Sequence, residues 1–422
     1  MDYTTRRTCR ICDSSRLVYL FSLGDLFVSD FVAVETIHKG IKAPIDLVLC
    51  EVCSLVQLCH TVNRDLLYKN YWYRSGTTDT MRKALRDITK LAEEVVDLSA
   101  GDAVLDIGSN DGTLLRTYAT PGIIRIGFEP AKNIAGEEAS QVGVDRTIND
   151  YWDADLYPIP VKPKVITALG MLYDLEDPNK FIEGIKKTLH PNGVFIAQLM
   201  CLRQTFDQAD VGNFAHEHLL YFSIASLEYL LSQHSLEVLS IRANDVNGGS
   251  YRFVIRHRSH PNRVSMEYAN RWMQEAKDGL HKPDAYEKLF RRMIDNRDRV
   301  VDFIRSERDK GLRTWVYGAS TKGNTILQWY GLNAGDIDGA SDRSPAKFGK
   351  YTIGTGIPIY SEELARESNP DYFLVLPYAF INEFVKRERN WLDHGGEFIQ
   401  PLPVPKVIGS DGDTEHDWEC LI

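Results

Sequence analysis

Apolar residues in this chain come in short blocks separated by turn-forming residues. "AVLDI" (103–107), "IRIGFEP" (124–130), "PKVITALGML" (163–172) and "GVFIAQLMC" (193–201) are such blocks, spaced by amphipathic stretches. Strands alternating with helices predict a parallel sheet covered by helices on both faces. "YRFVIRHR" (251–258) alternates in part and is expected as an edge strand. Ahead of the sheet, a polar, helix-compatible stretch runs from Tyr71 to Leu98. Residues 262–310 are charged and helical in pattern, with Pro283 as the break. "RTWVYGASTKGNTILQWYGL" then repeats the order strand, Gly-rich loop, helix, and "IDGASD", "IPIYS" and "PDYFLVLP" extend a second, smaller α/β unit. The expected domains are 1–70, 71–260, a helical connector at 261–310, and 311–410. No heptad pattern supports a coiled coil; the sequence leaves the oligomeric state open, and a monomer is compatible with it.

The chain has 422 residues and a net charge of −10, which argues against general nucleic-acid binding. No apolar run approaches a membrane span, and the N-terminus lacks the apolar core of a secretory signal. A cytoplasmic protein is expected. Seven cysteines are present, and four form "CRIC" (Cys9, Cys12) and "CEVC" (Cys50, Cys53). Two such knuckles in a reducing compartment point to one tetrahedral zinc rather than disulfides. Four protein ligands leave no open position, so the metal is expected to be structural.

"VLDIGSNDGTLL" (104–115) lets the chain turn at Gly108 and approach a ligand at Gly112. Asn110 stands where a dinucleotide fingerprint has its second glycine, which argues against a pyrophosphate there. Glu129, about twenty residues on, is placed to accept both hydroxyls of a ribose. Together these features resemble the S-adenosylmethionine (SAM) site of class I methyltransferases. Asp106, Gly108, Asn110 and Gly112 would then line the methionine and ribose, with Asn149 or Asp150 toward the adenine.

"NFAHEHLLYFS" (213–223) sets His216, Glu217 and His218 side by side. Two histidines two apart diverge on a helix, and on a strand they lack a third ligand, which argues against a metal. Packing and proton handling both stay open.

The zinc knuckles, the SAM-type loop, "HEHLLYFS", "NGGSYR" and "YGASTKGNTILQWYGL…DRSPAKFGKYTIGTGIPI" resemble the sugar C-methyltransferases of deoxysugar biosynthesis, over nearly the whole chain. The resemblance implies a class I SAM methyltransferase core, an N-terminal zinc-binding module and a C-terminal Rossmann-like α/β domain. It implies methylation of a carbon next to the ketone of a nucleotide-linked 4-keto-6-deoxysugar. His218 would be the general base, with Glu217 orienting or charging it and Tyr71 or Tyr73 supplying a phenol. His216 and Asn247 would face the substrate. Ser320, Lys322 and Asn324 would hold the diphosphate, assisted by Arg343, Lys347 and Tyr351. At four positions the chain departs from the family's pattern: Ala215 for a tyrosine, Asp174 for a histidine, Asn247 for the histidine of His-Gly-Gly, and Gln198 for an acidic residue. An O- or N-methyltransferase and a zinc-containing scaffold are the alternatives, separable by loss of an α-proton and by SAM binding.

Overall fold

The computed structural model describes residues 2–68, 72–136, 142–258 and 265–414. Its centre is a seven-stranded sheet. In spatial order the strands are Leu236–Asn244, Ser250–His257, Val194–Met200, Pro163–Leu169, Ala103–Ile107, Ile124–Phe128 and Arg146–Ile148. The five from Val194–Met200 onward are parallel, and Ser250–His257 runs antiparallel to both of its neighbours, Val194–Met200 and Leu236–Asn244. Ala103–Ile107 is buried along its whole length, as a parallel strand covered on both faces must be.

The expectation of an edge strand at 251–258 is corrected here. Ser250–His257 lies between Val194–Met200 and Leu236–Asn244, and Leu236–Asn244 forms the edge. Its polar member Arg252 is buried, with Nε donating to Gln198 Oε1 at 3.0 Å.

The N-terminal residues form an antiparallel sheet of Leu17–Phe27, Lys42–Cys50 and Val56–Leu58. Its fourth strand, Leu220–Tyr221, comes from far along the chain. A second seven-stranded sheet, with Thr314–Tyr317 near its middle, forms the C-terminal unit. Gly279 closes the helix Met266–Asp278 in the left-handed conformation, and Pro283 occupies the first turn of the helix Pro283–Asp309, so the break sits at Pro283 as expected.

That 27-residue helix packs on the N-terminal sheet, stacking Phe290 on Phe21 at 4.8 Å. The N- and C-terminal units are also joined directly. Gln328 accepts from Phe27 N at 2.7 Å and donates to Phe27 O at 3.1 Å, and Phe31–Val32 pairs with Tyr351–Thr352. One buried apolar cluster runs from Cys9 to Val407. None of the described helices is long and apolar enough to cross a membrane.

Candidate functional site

The four knuckle cysteines converge, with all four Sγ atoms within 4.8 Å of one another. Cys9 Sγ lies 3.4 Å from Cys53 Sγ and Cys12 Sγ lies 3.5 Å from Cys50 Sγ. Four thiolates about 2.3 Å from one tetrahedral ion lie about 3.8 Å apart, whereas a disulfide needs about 2.05 Å. Backbone N–H groups of Ile11 and Val52 point at Cys9 Sγ and Cys50 Sγ, as they do around metal-bound thiolates. The donor set fits zinc.

At the C-terminal ends of the parallel strands lies a cavity of about 1270 Å³. One side is built by the turn after Ala103–Ile107. Gly108 takes φ +72°, which favours glycine, and it lines the cavity. The N–H groups of Gly108 and Ser109 both donate to Phe128 O. Glu129 also faces the cavity. Its two oxygens accept from Asn110 N and Ala131 N, both at 2.8 Å. These bonds fix the carboxyl and leave lone pairs for hydroxyl donors. Burial raises its pKa while the two N–H groups pull it down. A fixed carboxyl beside a glycine backbone suits the ribose and methionine ends of SAM.

Of the other expected cofactor residues, Asn110 lines the cavity, while Asp106, Gly112 and Asn149 stand behind this surface. Asp106 is buried, accepts from Thr167 Oγ1 at 2.5 Å, and is pushed up to about 7 chiefly by burial. Gly112 does not line the cavity, and Asn149 donates from Nδ2 to Glu129 O at 2.8 Å. The Asn110 side chain serves as a latch: Oδ1 accepts from Ser75 N at 2.9 Å and Nδ2 donates to Tyr73 O at 3.2 Å. Tyr73 lines the cavity, its phenol pushed up to about 12 by burial. Tyr71 lies outside the described residues. Beyond Asn149, Asp150, Tyr151 and Trp152 line the wall, and Arg64 stacks on Tyr151 at 3.9 Å. Arg64 and Tyr151 escaped the sequence reading; the signal was an aromatic pair following Asn149 and Asp150.

The opposite side holds Tyr173, Asp174, Glu217, His218 and Lys322. His218 Nδ1 lies 2.7 Å from Asn213 O. A carbonyl only accepts, so Nδ1 carries the proton and Nε2 is the basic atom. Burial, then the charge of Lys322, lowers its pKa to about 4. The expected Glu217–His218 contact is corrected: no hydrogen bond joins them among the described residues, and the Asn213 carbonyl orients the ring instead. His216 and Glu217 are the central residues of a turn closed by His218 N–H to Ala215 O at 3.0 Å.

His216 is also corrected. It is 3% exposed and does not line the cavity, and its Nε2–H donates to Ala43 O at 2.9 Å. Its ring belongs to the packing against the N-terminal sheet. Asn247 sits in the turn Val246–Gly248, whose Val246 lines the cavity.

Of the expected diphosphate residues, only Lys322 reaches the cavity, its Nζ 3.4 Å from Asp210 Oδ2. Ser320 Oγ accepts from Gly323 N at 3.0 Å and so caps its own helix. Asn324 is buried and donates to Asp30 O at 2.8 Å. Arg343 pairs with Glu362 at 3.2 Å, and Lys347 binds Ala319 O at 2.7 Å and Asp342 at 2.9 Å. Tyr351 pairs with Val32. A short polar side chain at a helix start satisfies the helix first, which removed Ser320 from the cavity, whereas the Asp30 carbonyl of the N-terminal unit holds Asn324.

Three family models match in succession: a zinc-binding domain over 9–68, a methyltransferase domain over 77–241, and a C-methyltransferase C-terminal domain over 245–403. The chain is 28% identical over 414 residues to the C-methyltransferase NovU of Streptomyces niveus, covering 96% of this chain and 97% of NovU. The chain is an S-adenosylmethionine-dependent methyltransferase with the C-methyltransferase domain set. Its methyltransferase part is weakly similar to two solved structures. One is the mitomycin 7-O-methyltransferase MmcR (20% identity, 42% of this chain and 54% of that one, TM-score 0.32). The other is the magnesium protoporphyrin IX methyltransferase of Synechocystis PCC 6803 with bound SAM (12% identity, 42% and 79%, TM-score 0.32). The methyltransferase thus carries its cofactor loop, its histidine segment and its zinc module in one folded body.

Proposed function

We propose that this methyltransferase adds a methyl group to a carbon next to the ketone of a nucleotide-linked 4-keto-deoxysugar. The observation that carries the reading is the neutral imidazole of His218, held by Asn213 with Nε2 as its basic atom. Methylation at oxygen or nitrogen needs no base able to take a carbon-bound proton, whereas methylation at an α-carbon does. SAM supplies an electrophilic methyl on sulfur. His218 Nε2 takes the α-proton, and Glu129 and the Gly108 backbone would hold the cofactor's methionine–ribose end. Lys322, at the cavity edge, supplies a positive charge suited to a phosphate of the sugar nucleotide. The resemblance to the sugar C-methyltransferases supports the acceptor class.

The test is mass spectrometry of thymidine- and uridine-diphosphate 4-keto-6-deoxyhexoses incubated with enzyme and SAM in deuterated water. The expected product gains a methyl group and loses its α-hydrogen. A methylated product that keeps this hydrogen would make the acceptor a heteroatom and remove the base role from His218.

A further inference from the structure

The acceptor side of the cavity contains two carboxyl groups, from Asp174 and Glu217, with no cation in ion-pairing distance of either among the described residues. Asp174 ends the short 3-10 turn Leu172–Asp174, whose middle residue Tyr173 meets the His218 ring edge-on at 4.7 Å. The carboxyl and the base are therefore carried by neighbouring walls of one cavity. Asp174 Oδ1 is shielded from solvent yet lacks a hydrogen-bond partner among the described residues. A buried polar oxygen without a partner is costly unless something completes it. The groups around it give it no counter-charge. Glu217, on the histidine segment, and Tyr221, on the strand Leu220–Tyr221, lie close enough to interact with it electrostatically, and His218 and Gln198 line the same cavity. The acid two residues on, Glu176, already pairs with Arg6 and Arg10.

We propose that Asp174 works as a carboxylic acid, donating its O–H to the acceptor's ketone oxygen while His218 removes the α-proton. This rests on the ketone reading above. Burial, and then the charge of Glu217, hold the Asp174 carboxyl well above the usual carboxylate range, which favours the protonated form that donates. An apolar site that keeps a carboxylic acid neutral turns it from an acceptor into a donor for a developing oxyanion. The balance is complete. The C–H pair becomes the C=C bond, and the proton goes to His218 Nε2. The C=O π pair goes to oxygen, where the Asp174 O–H stabilises it. The enolate carbon then takes the methyl group, the carbonyl re-forms, and the C–S pair stays on sulfur. An ionised Asp174 would instead repel the developing oxyanion.

The test is α-hydrogen exchange in deuterated water with the same 4-keto-6-deoxyhexoses, in the presence of S-adenosylhomocysteine so that no methyl group is transferred. Asp174→Asn keeps a donor and is expected to lose no more than about tenfold. Asp174→Leu has none and is expected to lose about 10²–10³-fold, the usual cost of an oxyanion donor. Wild-type exchange is expected to fall as pH rises through the Asp174 pKa, and Asp174→Asn should lack that alkaline fall. S-adenosylhomocysteine affinity, measured on each variant by calorimetry, separates this from misfolding. If Asp174→Asn is as inactive as Asp174→Leu while binding S-adenosylhomocysteine normally, the carboxylate form is what matters and the proposal is overturned. Wild-type enzyme that exchanges nothing would sink the ketone reading and this proposal with it.

Discussion

The Asn213 carbonyl determines which nitrogen of His218 is basic, and its surroundings determine how basic. With a pKa lowered to about 4, the imidazole is neutral across the working range, so the acid limb of kcat/KM should lie near pH 4 rather than about 6.5. A kcat/KM profile from pH 4 to 9 checks this. His218→Ala should lower methyl transfer by about 10²–10⁴-fold without changing SAM affinity. His216 tests burial without catalysis. Its folded pKa is also lowered to about 4, so its stabilising contribution is present above about pH 6.5 and is lost as pH falls toward 4, with an upper bound of about 3 kcal/mol. His216→Gln should therefore flatten the loss of stability between pH 7 and 5 in urea titrations. The raised carboxyls Asp174 and Glu217 act with opposite sign but are common to both proteins and cancel in the difference. The sequence could name both histidines but could not separate them. The direction of a ring depends on which carbonyl lies within reach, Ala43 for one and Asn213 for the other, and neither is legible from spacing.

Among the elements, the turn 108–112 was the most legible, because positive φ values and an acidic partner after the next strand leave marks in the sequence. The latch was not legible. Asn110 holds Tyr73 and Ser75 through side-chain bonds to backbone, and such bonds place no demand on residue type at the other end. Asn110→Ala should remove two hydrogen bonds, worth about 1–3 kcal/mol together, and release the segment that carries Tyr73. Weaker SAM binding by calorimetry with little change in thermal midpoint is the expected result. The parallel character of the central sheet was legible from the alternation of strands with helices, but its edge strand Arg146–Ile148 was not. The inserted strand Ser250–His257 was misread as an edge because its partial apolar–polar alternation does not reveal that Gln198 receives the buried Arg252. At the C-terminal unit the sequence overstated the ligand set: Ser320, Asn324 and Lys347 are held by helix, backbone and carboxylate partners, and Lys322 alone faces the cavity.

At the scale of the whole molecule, the zinc module and the active cavity share a sheet. Leu220 and Tyr221, which follow His218 closely in the chain, pair with Gln57 and Val56. Removing the metal should therefore disturb the histidine segment as well as the knuckles. Stripping zinc with a strong chelator, or Cys50→Ser, is expected to abolish methyl transfer and lower the thermal midpoint, with activity recovered on adding zinc to the stripped wild type. An unaffected activity in fully zinc-depleted enzyme would separate the two.

The same pairing sets a condition on the protein's birth. The strand Val56–Leu58 is made early, but its neighbour Leu220–Tyr221 leaves the ribosome some 160 residues later, roughly 10–30 s at ordinary synthesis rates. Through that interval the nascent module presents an apolar, unpaired edge, a template for wrong pairing. The metal that closes its knuckles, together with the pairing of Leu17–Phe27, Lys42–Cys50 and Val56–Leu58, then holds the first residues in shape while they wait for the rest of the chain.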